Sequence, residues 1–262
     1  MTLRHFLTAF PSKPILLIGA VLLGDAMIHG AKSQPQVSPP LLPKPDPDAA
    51  LVHSLLGENL SNRTFSFATV AEACSGKRVL PLTQDASHQR ITAAIEKAIQ
   101  TTLAELNPAD SPVHKLRRIN EASKFFEEAI RKHLDEMPGI TCDTPPTRKG
   151  EHQRAGYPDL RIVDEESKLV FYLDPKLVEQ GSAASTFRTF YFEPKQETLK
   201  ITQDAVHLLA GIEHDGKEGT WTFTGWRLVD LSTLRVRLKA EFQASNAELY
   251  RKTELSLPAS RR

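Results

Sequence analysis

Tyr157-Pro-Asp-Leu-Arg-Ile-Val-Asp-Glu-Glu-Ser-Lys-Leu-Val-Phe-Tyr-Leu-Asp-Pro-Lys176 is the stretch on which the reading of this chain turns. Leu160, Ile162 and then Leu169 to Leu173 are aliphatic, β-branched and aromatic residues in short runs around a polar turn, Asp164 to Lys168. That pattern predicts a β-hairpin whose second strand is buried on both faces. Asp159 lies at the entry to the first strand and Asp174 near the end of the second, with 14 residues between them. Folding the hairpin therefore brings the two carboxylates together. Lys176 follows Asp174 by two, and side chains at i and i+2 of a strand share a face, so its ammonium belongs beside the pair.

Paired carboxylates are the oxygen ligands that a hard divalent cation such as Mg²⁺ or Mn²⁺ takes, and hydrolysis of a phosphodiester at neutral pH needs such a cation. A lysine at that place would orient or help deprotonate the attacking water, with its pKa lowered by desolvation. Pro175 is the discordant residue, because proline removes a backbone donor from what reads as a core strand.

Tyr157-Pro158-Asp159 with Asp174-Pro175-Lys176 closely resembles the PD and (D/E)XK motifs of the PD-(D/E)XK nuclease superfamily, which is restriction-endonuclease-like. The resemblance covers roughly residues 111–231. It implies a core ordered helix, three strands, helix, strand; a metal-dependent endonuclease acting on nucleic acid, DNA above all; and no nucleotide cofactor. It makes Asp159 and Asp174 metal ligands and Lys176 the water-positioning group. Family members often add a carboxylate from the preceding helix, and Phe126-Glu127 with Ile130 and Leu134 looks like that pattern, which makes Glu127 a third candidate ligand. The alternative is a catalytically silent member of the same fold, serving as a binding or structural module in the cell envelope, and Pro175 is its supporting feature.

Outward from the hairpin, Ile91, Ala94, Ile95, Ala98, Ile99, Leu103 and Leu106 form a helical stripe within 85–106. Ser111 and Pro112 read as N-cap and first residue of a helix running to about Met137, where Pro138-Gly139 stops it. Residues 186–192 read as a strand, 204–212 as a short helix and 221–231 as a further strand. In 234–239, Leu234, Val236 and Leu238 alternate with Arg235, Arg237 and Lys239, as in a strand with one cationic face. A last helix is expected over 244–252. The sum is an α/β (α+β) fold with a mixed central sheet flanked by helices.

The loop after the hairpin holds Ser185 and Arg188, which suit phosphate oxygens as well as they suit a solvated loop. Lys115, Arg117, Arg118, Lys124, Arg131 and Lys132, with Arg235, Arg237 and Lys239 later, could line a groove for a polyanion, but a solvated face is the commoner use of such residues. His207 reads as a residue that is buried or that supports a site from behind its ligands, and not as a zinc ligand. P-loop, dinucleotide and G-x-S-x-G signatures are absent from the sequence.

The 262 residues are 40% hydrophobic and 25% charged with a formal net charge of +1, which excludes a collagen-like or wholly disordered chain and any global basic field. Pro14 to Gly24 is an apolar run behind Arg4, His5 and Lys13, too short for a cleanly bounded span and suited to a signal peptide processed after Ala26. An uncleaved anchor or a leader added by an upstream start codon are the other readings. The expectation is an exported or membrane-tethered protein. Six prolines in 34–48 make an extended linker. The organisation expected is therefore a leader (1–30), a linker (31–48), a helical extension packed on the core (49–110) and a nuclease-like domain (111–262). Cys74 and Cys142 fit no metal or redox motif, and a disulfide between them would need an oxidising compartment.

Overall fold

A computed structural model describes residues 48–60, 63–186, 190–239, 241 and 243–249. The apolar leader, most of the Pro-rich linker, Arg188 and the end of the expected C-terminal helix lie outside them. The elements run α1 (Ala49–Gly57), β1 (Thr64–Ser66), α2 (Phe67–Ser75), β2 (Val79–Leu80), α3 (Ala86–Leu106), α4 (Ser123–Asp135), β3 (Ile140–Asp143), β4 (Leu160–Asp164), β5 (Val170–Glu179), β6 (Ala205–His214), β7 (Phe223–Asp230), β8 (Arg235–Arg237) and α5 (Asn246–Leu249).

This is a mixed α/β fold built on a six-stranded mixed sheet, compatible with a restriction-endonuclease-like architecture. The order is β2-β6-β5-β4-β3, with β7 beside β6; β5 and β6 are parallel and the hairpin neighbours antiparallel. Alternation along β5 serves both faces. Phe171 and Leu173 join the cluster formed with Ile91, Ile95 and Ile99 of α3 and Phe126, Ile130 and Leu134 of α4, while Val170 and Tyr172 join Phe67 and Ala71 of α2. The two stripes read in the sequence are thus the sheet-facing sides of α3 and α4, as amphipathic helices require.

Five expectations need correction. Residues 204–212 are not a helix but the middle strand β6. Val206, Leu208, Ala210 and Ile212 pack toward α3 and α4 while Ala205 and His207 are buried on the other side, and a helix would have buried only one stripe of this run. The helix expected over 111–137 is broken into two short 3₁₀ turns, Pro112–Lys115 and Ile119–Ala122, before α4, because Leu116 and Arg118 are extended. The described part of 186–192 forms no strand, and among the described residues the crossover joining the parallel strands β5 and β6 has one 3₁₀ turn, Ser182–Ala184, as its regular structure. The second core helix implied by the resemblance is missing among the described residues. The hairpin, the strand in 221–231 and the alternating strand at Val236 are present as read. Residues 49–110 also supply strands, β1 to β8 and β2 to β6, and are not only a helical extension.

Candidate active site

The pairing of β4 with β5 ends at Leu160 opposite Leu173. Asp159 stands one residue before that end and Asp174 one residue after it, so the two acids face each other across a notch where one strand stops. Beyond the notch β5 continues with β6 as its one strand neighbour among the described residues. The Asp164 N–H donates to Leu169 O at 3.0 Å, and peptide groups of an antiparallel pair alternate in direction, so the odd residues of β5 turn theirs toward β4. Pro175 belongs to that set. Its missing N–H would have pointed past the end of β4, and the proline costs the ladder no bond.

Asp174 and Lys176 share the face of Tyr172. Lys176 Nζ lies 2.6 Å from Asp174 Oδ2 and donates to Asp159 Oδ2 at 3.4 Å and to Pro175 O at 3.3 Å. The shortest of these contacts is an ion pair by distance but is not aligned as a hydrogen bond, which leaves the buried Oδ2 of Asp174 without an aligned donor. Burial of Asp174, with the Asp159 charge added, pushes its carboxyl up to about 8 despite Lys176. Burial pulls Lys176 downward, but the two carboxylates together outweigh it and hold the ammonium above its usual value. The expectation of a lowered lysine pKa is therefore corrected: desolvation acts as foreseen, and the two acids overrule it.

Glu127, on α4, does not join this group directly. Its two oxygens accept from Arg154 Nε and Nη2, each at 3.0 Å, in a bidentate pair. Glu127, Arg131, Gln153, Arg154 and Asp159 line a cleft of about 330 Å³, so Asp159 is the member of the pair that reaches the opening. Among the described residues no three acidic, histidine or cysteine side chains converge as a ready-made metal cluster. Asp159 and Asp174 nonetheless fit a hard cation, since Mg²⁺ is commonly held by one or two carboxylates with the remaining positions taken by water and phosphate. The unaligned buried oxygen of Asp174 is the observation that favours the fit.

Of the other candidates, Ser185 is exposed at the end of the 3₁₀ turn after β5, where its N–H donates to Ser182 O. His207 is fully buried on β6, with its Nδ1 2.8 Å from the Tyr157 hydroxyl, and burial holds its pKa down at about 3, in keeping with a core residue. Arg131 reaches the cleft, whereas Arg235 and Arg237 are exposed on β8. Cys74 and Cys142 are free thiols packed into the clusters on opposite faces of the sheet. Sequence reasoning missed Lys200, fully buried beside the acids, because a single lysine in Leu-Lys-Ile-Thr carries no motif.

A family model described as the Type II restriction enzyme MjaV family matches residues 59–253. The chain is 29% identical over 198 residues to Type II restriction enzyme MjaV of Methanocaldococcus jannaschii, an alignment spanning 71% of this chain and 85% of that enzyme. The family match takes in α3, α4, the whole hairpin and β6, and extends well beyond residues 111–231.

Proposed function

The chain belongs to the Type II restriction enzyme MjaV family, and on that premise we propose that it is a DNA endonuclease of PD-(D/E)XK type that works with Mg²⁺ or Mn²⁺. The observation that carries this reading is the convergence of Asp159, Asp174 and Lys176 at the notch, with the lysine ammonium 2.6 and 3.4 Å from the two carboxylates. When bound, a divalent cation supplies positive charge against a non-bridging phosphate oxygen and acidity to the attacking water. Asp159 and Asp174 hold it. Lys176 is a cation at neutral pH, so its part is to donate: it orients the water and offsets charge building on the phosphorus.

Glu127 would be available as a further ligand only with Arg154 drawn off it, and phosphate oxygens of the DNA would be the natural competitor for that guanidinium. Arg131 in the cleft, with Ser185 and Arg188 on the crossover, would hold the backbone of the DNA. Pro175, the feature that favoured a silent module, sits where the sheet asks for no donor, so it gives that alternative little weight.

The test is incubation of the full chain with supercoiled plasmid and Mg²⁺ or Mn²⁺, beside EDTA and the variants Lys176→Ala and Asp174→Ala. Metal-dependent nicking or linearisation by the unaltered protein only is expected. Cleavage that survives EDTA, or equal cleavage by both variants, would sink the proposal.

A further inference from the structure

Lys200 has 0% exposure, between Leu199 and Ile201, which are themselves buried. A buried ammonium is costly unless it is held by hydrogen bonds or opposite charge. Asp159, Glu127 and Asp174 all act on its charge, yet its donors are spent on backbone: Nζ donates to Arg154 O at 3.2 Å and to Pro158 O at 3.4 Å. Its own N–H donates to Tyr157 O at 3.4 Å. One residue thus grips residues 154–158 at three carbonyls. That strap is what delivers both Arg154 and Asp159 to the site.

A second observation, independent of the lysine side chain, marks the same junction. Gly156 has φ +90°, and a Cβ there would lie 2.6 Å from Thr198 O, so strap and rail meet backbone to backbone. The Arg148 N–H adds a bond to Leu199 O at 3.0 Å. Residues 198–200 are therefore a rail against which the strap is seated.

We propose that Lys200 is a positioning residue, whose ammonium clamps the strap 154–158 and so sets Asp159 in place against Asp174 and Lys176. The proposal rests on the reading of Asp159 and Asp174 as cation ligands. It differs from two simpler roles. A lysine acting only through its charge repels a cation, so its removal tightens cation binding. A lysine that only fills the core changes stability and leaves cation binding alone. A clamp, when removed, misplaces Asp159 and weakens binding, and supporting groups behind ligands are typically worth about 10–100-fold in metal affinity or activity.

The experiment is calorimetric titration of Mn²⁺ into the full chain and its Lys200→Met variant without DNA, with cleavage kinetics and limited trypsinolysis beside it. The expected result is binding weakened at least about tenfold, a fall in kcat with KM for DNA little changed, and faster cutting after Arg154. Unchanged or tighter Mn²⁺ binding overturns the clamp. If Lys200→Met does not fold, Gly156→Ala breaks the same junction from the other side, and the same outcomes decide. If the unaltered protein binds no Mn²⁺, the metal-dependent reading falls. The trypsin comparison then decides Lys200 alone: acceleration after Arg154 upholds the clamp, and equal rates reject it.

Discussion

Replacing Asp174 by Asn should make the cation-free protein more stable, by an amount that grows with pH. The Asp174 carboxyl, ordinarily near 3.8, is pushed to about 8 by burial and by Asp159. Between those values the folded protein keeps a proton that the unfolded chain has released, so the stability this group contributes falls as pH rises through that window. His207 acts in the opposite sense below its ordinary 6.5: buried neutral down to about 3, it costs stability as pH falls. The difference between variant and unaltered protein cancels His207 and isolates Asp174. Each pH unit inside the window is worth about 1.4 kcal/mol. From about pH 6 to about pH 8 the ceiling is therefore about 3 kcal/mol, and because Asp159 and Lys176 share the titration, about 1–3 kcal/mol is expected. Urea denaturation in EDTA at several pH values measures it. Added Mg²⁺ should then stabilise the unaltered protein and not the variant, since only the former keeps both carboxylates. Parallel stability curves across this range, or an Asn variant that is the less stable at the alkaline end, would refute the argument that burial and like charge dominate this site.

Arg154→Ala should free Glu127 and tighten Mn²⁺ binding, and the gain should vanish in the double variant with Glu127→Gln; equal binding by the single and double variants removes Glu127 from the ligand set. Tyr157→Phe takes the hydroxyl from Nδ1 of His207, whose Nε2 already lacks a partner, and should cost about 1–3 kcal/mol in urea denaturation; an unchanged midpoint would show that the buried pair contributes nothing. Fractionation of cells making the full chain tests the N-terminal run: recovery in the periplasmic or membrane fraction is expected for an export signal or anchor, while recovery in the cytosol discards that reading and leaves DNA inside the cell as the substrate.

The hairpin was legible because its signal is local. Apolar runs, a polar turn and acids at both strand ends lie within one stretch of the chain, and the register follows once the turn is placed. The stripes of α3 and α4 were legible because each helix buries one side. β6 was not, since a strand covered on both faces shows a continuous apolar run with no period, and Asp204 ahead of it imitates a helix cap. The break at Leu116 and Arg118 was hidden because two 3₁₀ turns keep the apolar residues near helical spacing. At the site, Asp159, Asp174 and Lys176 announce themselves by motif. Arg154 on Glu127 and Lys200 under the strap depend on contacts across 27 and 46 residues, which a single sequence does not display.

Among the described residues no strand pairs with β5 on the β4 side beyond Leu173, and an unpaired strand edge is where another strand could add itself to a sheet. Such a guest would lie across Asp159 and Asp174. Pro175 presents no donor on that edge, in the first outward-facing position beyond the last paired residue, so a strand arriving there finds the ladder interrupted at its first step. If the acids serve as proposed, the residue that looks misplaced in the motif would also deny a strand its first hydrogen bond beside them, and so help keep that gap for a substrate that is not a protein.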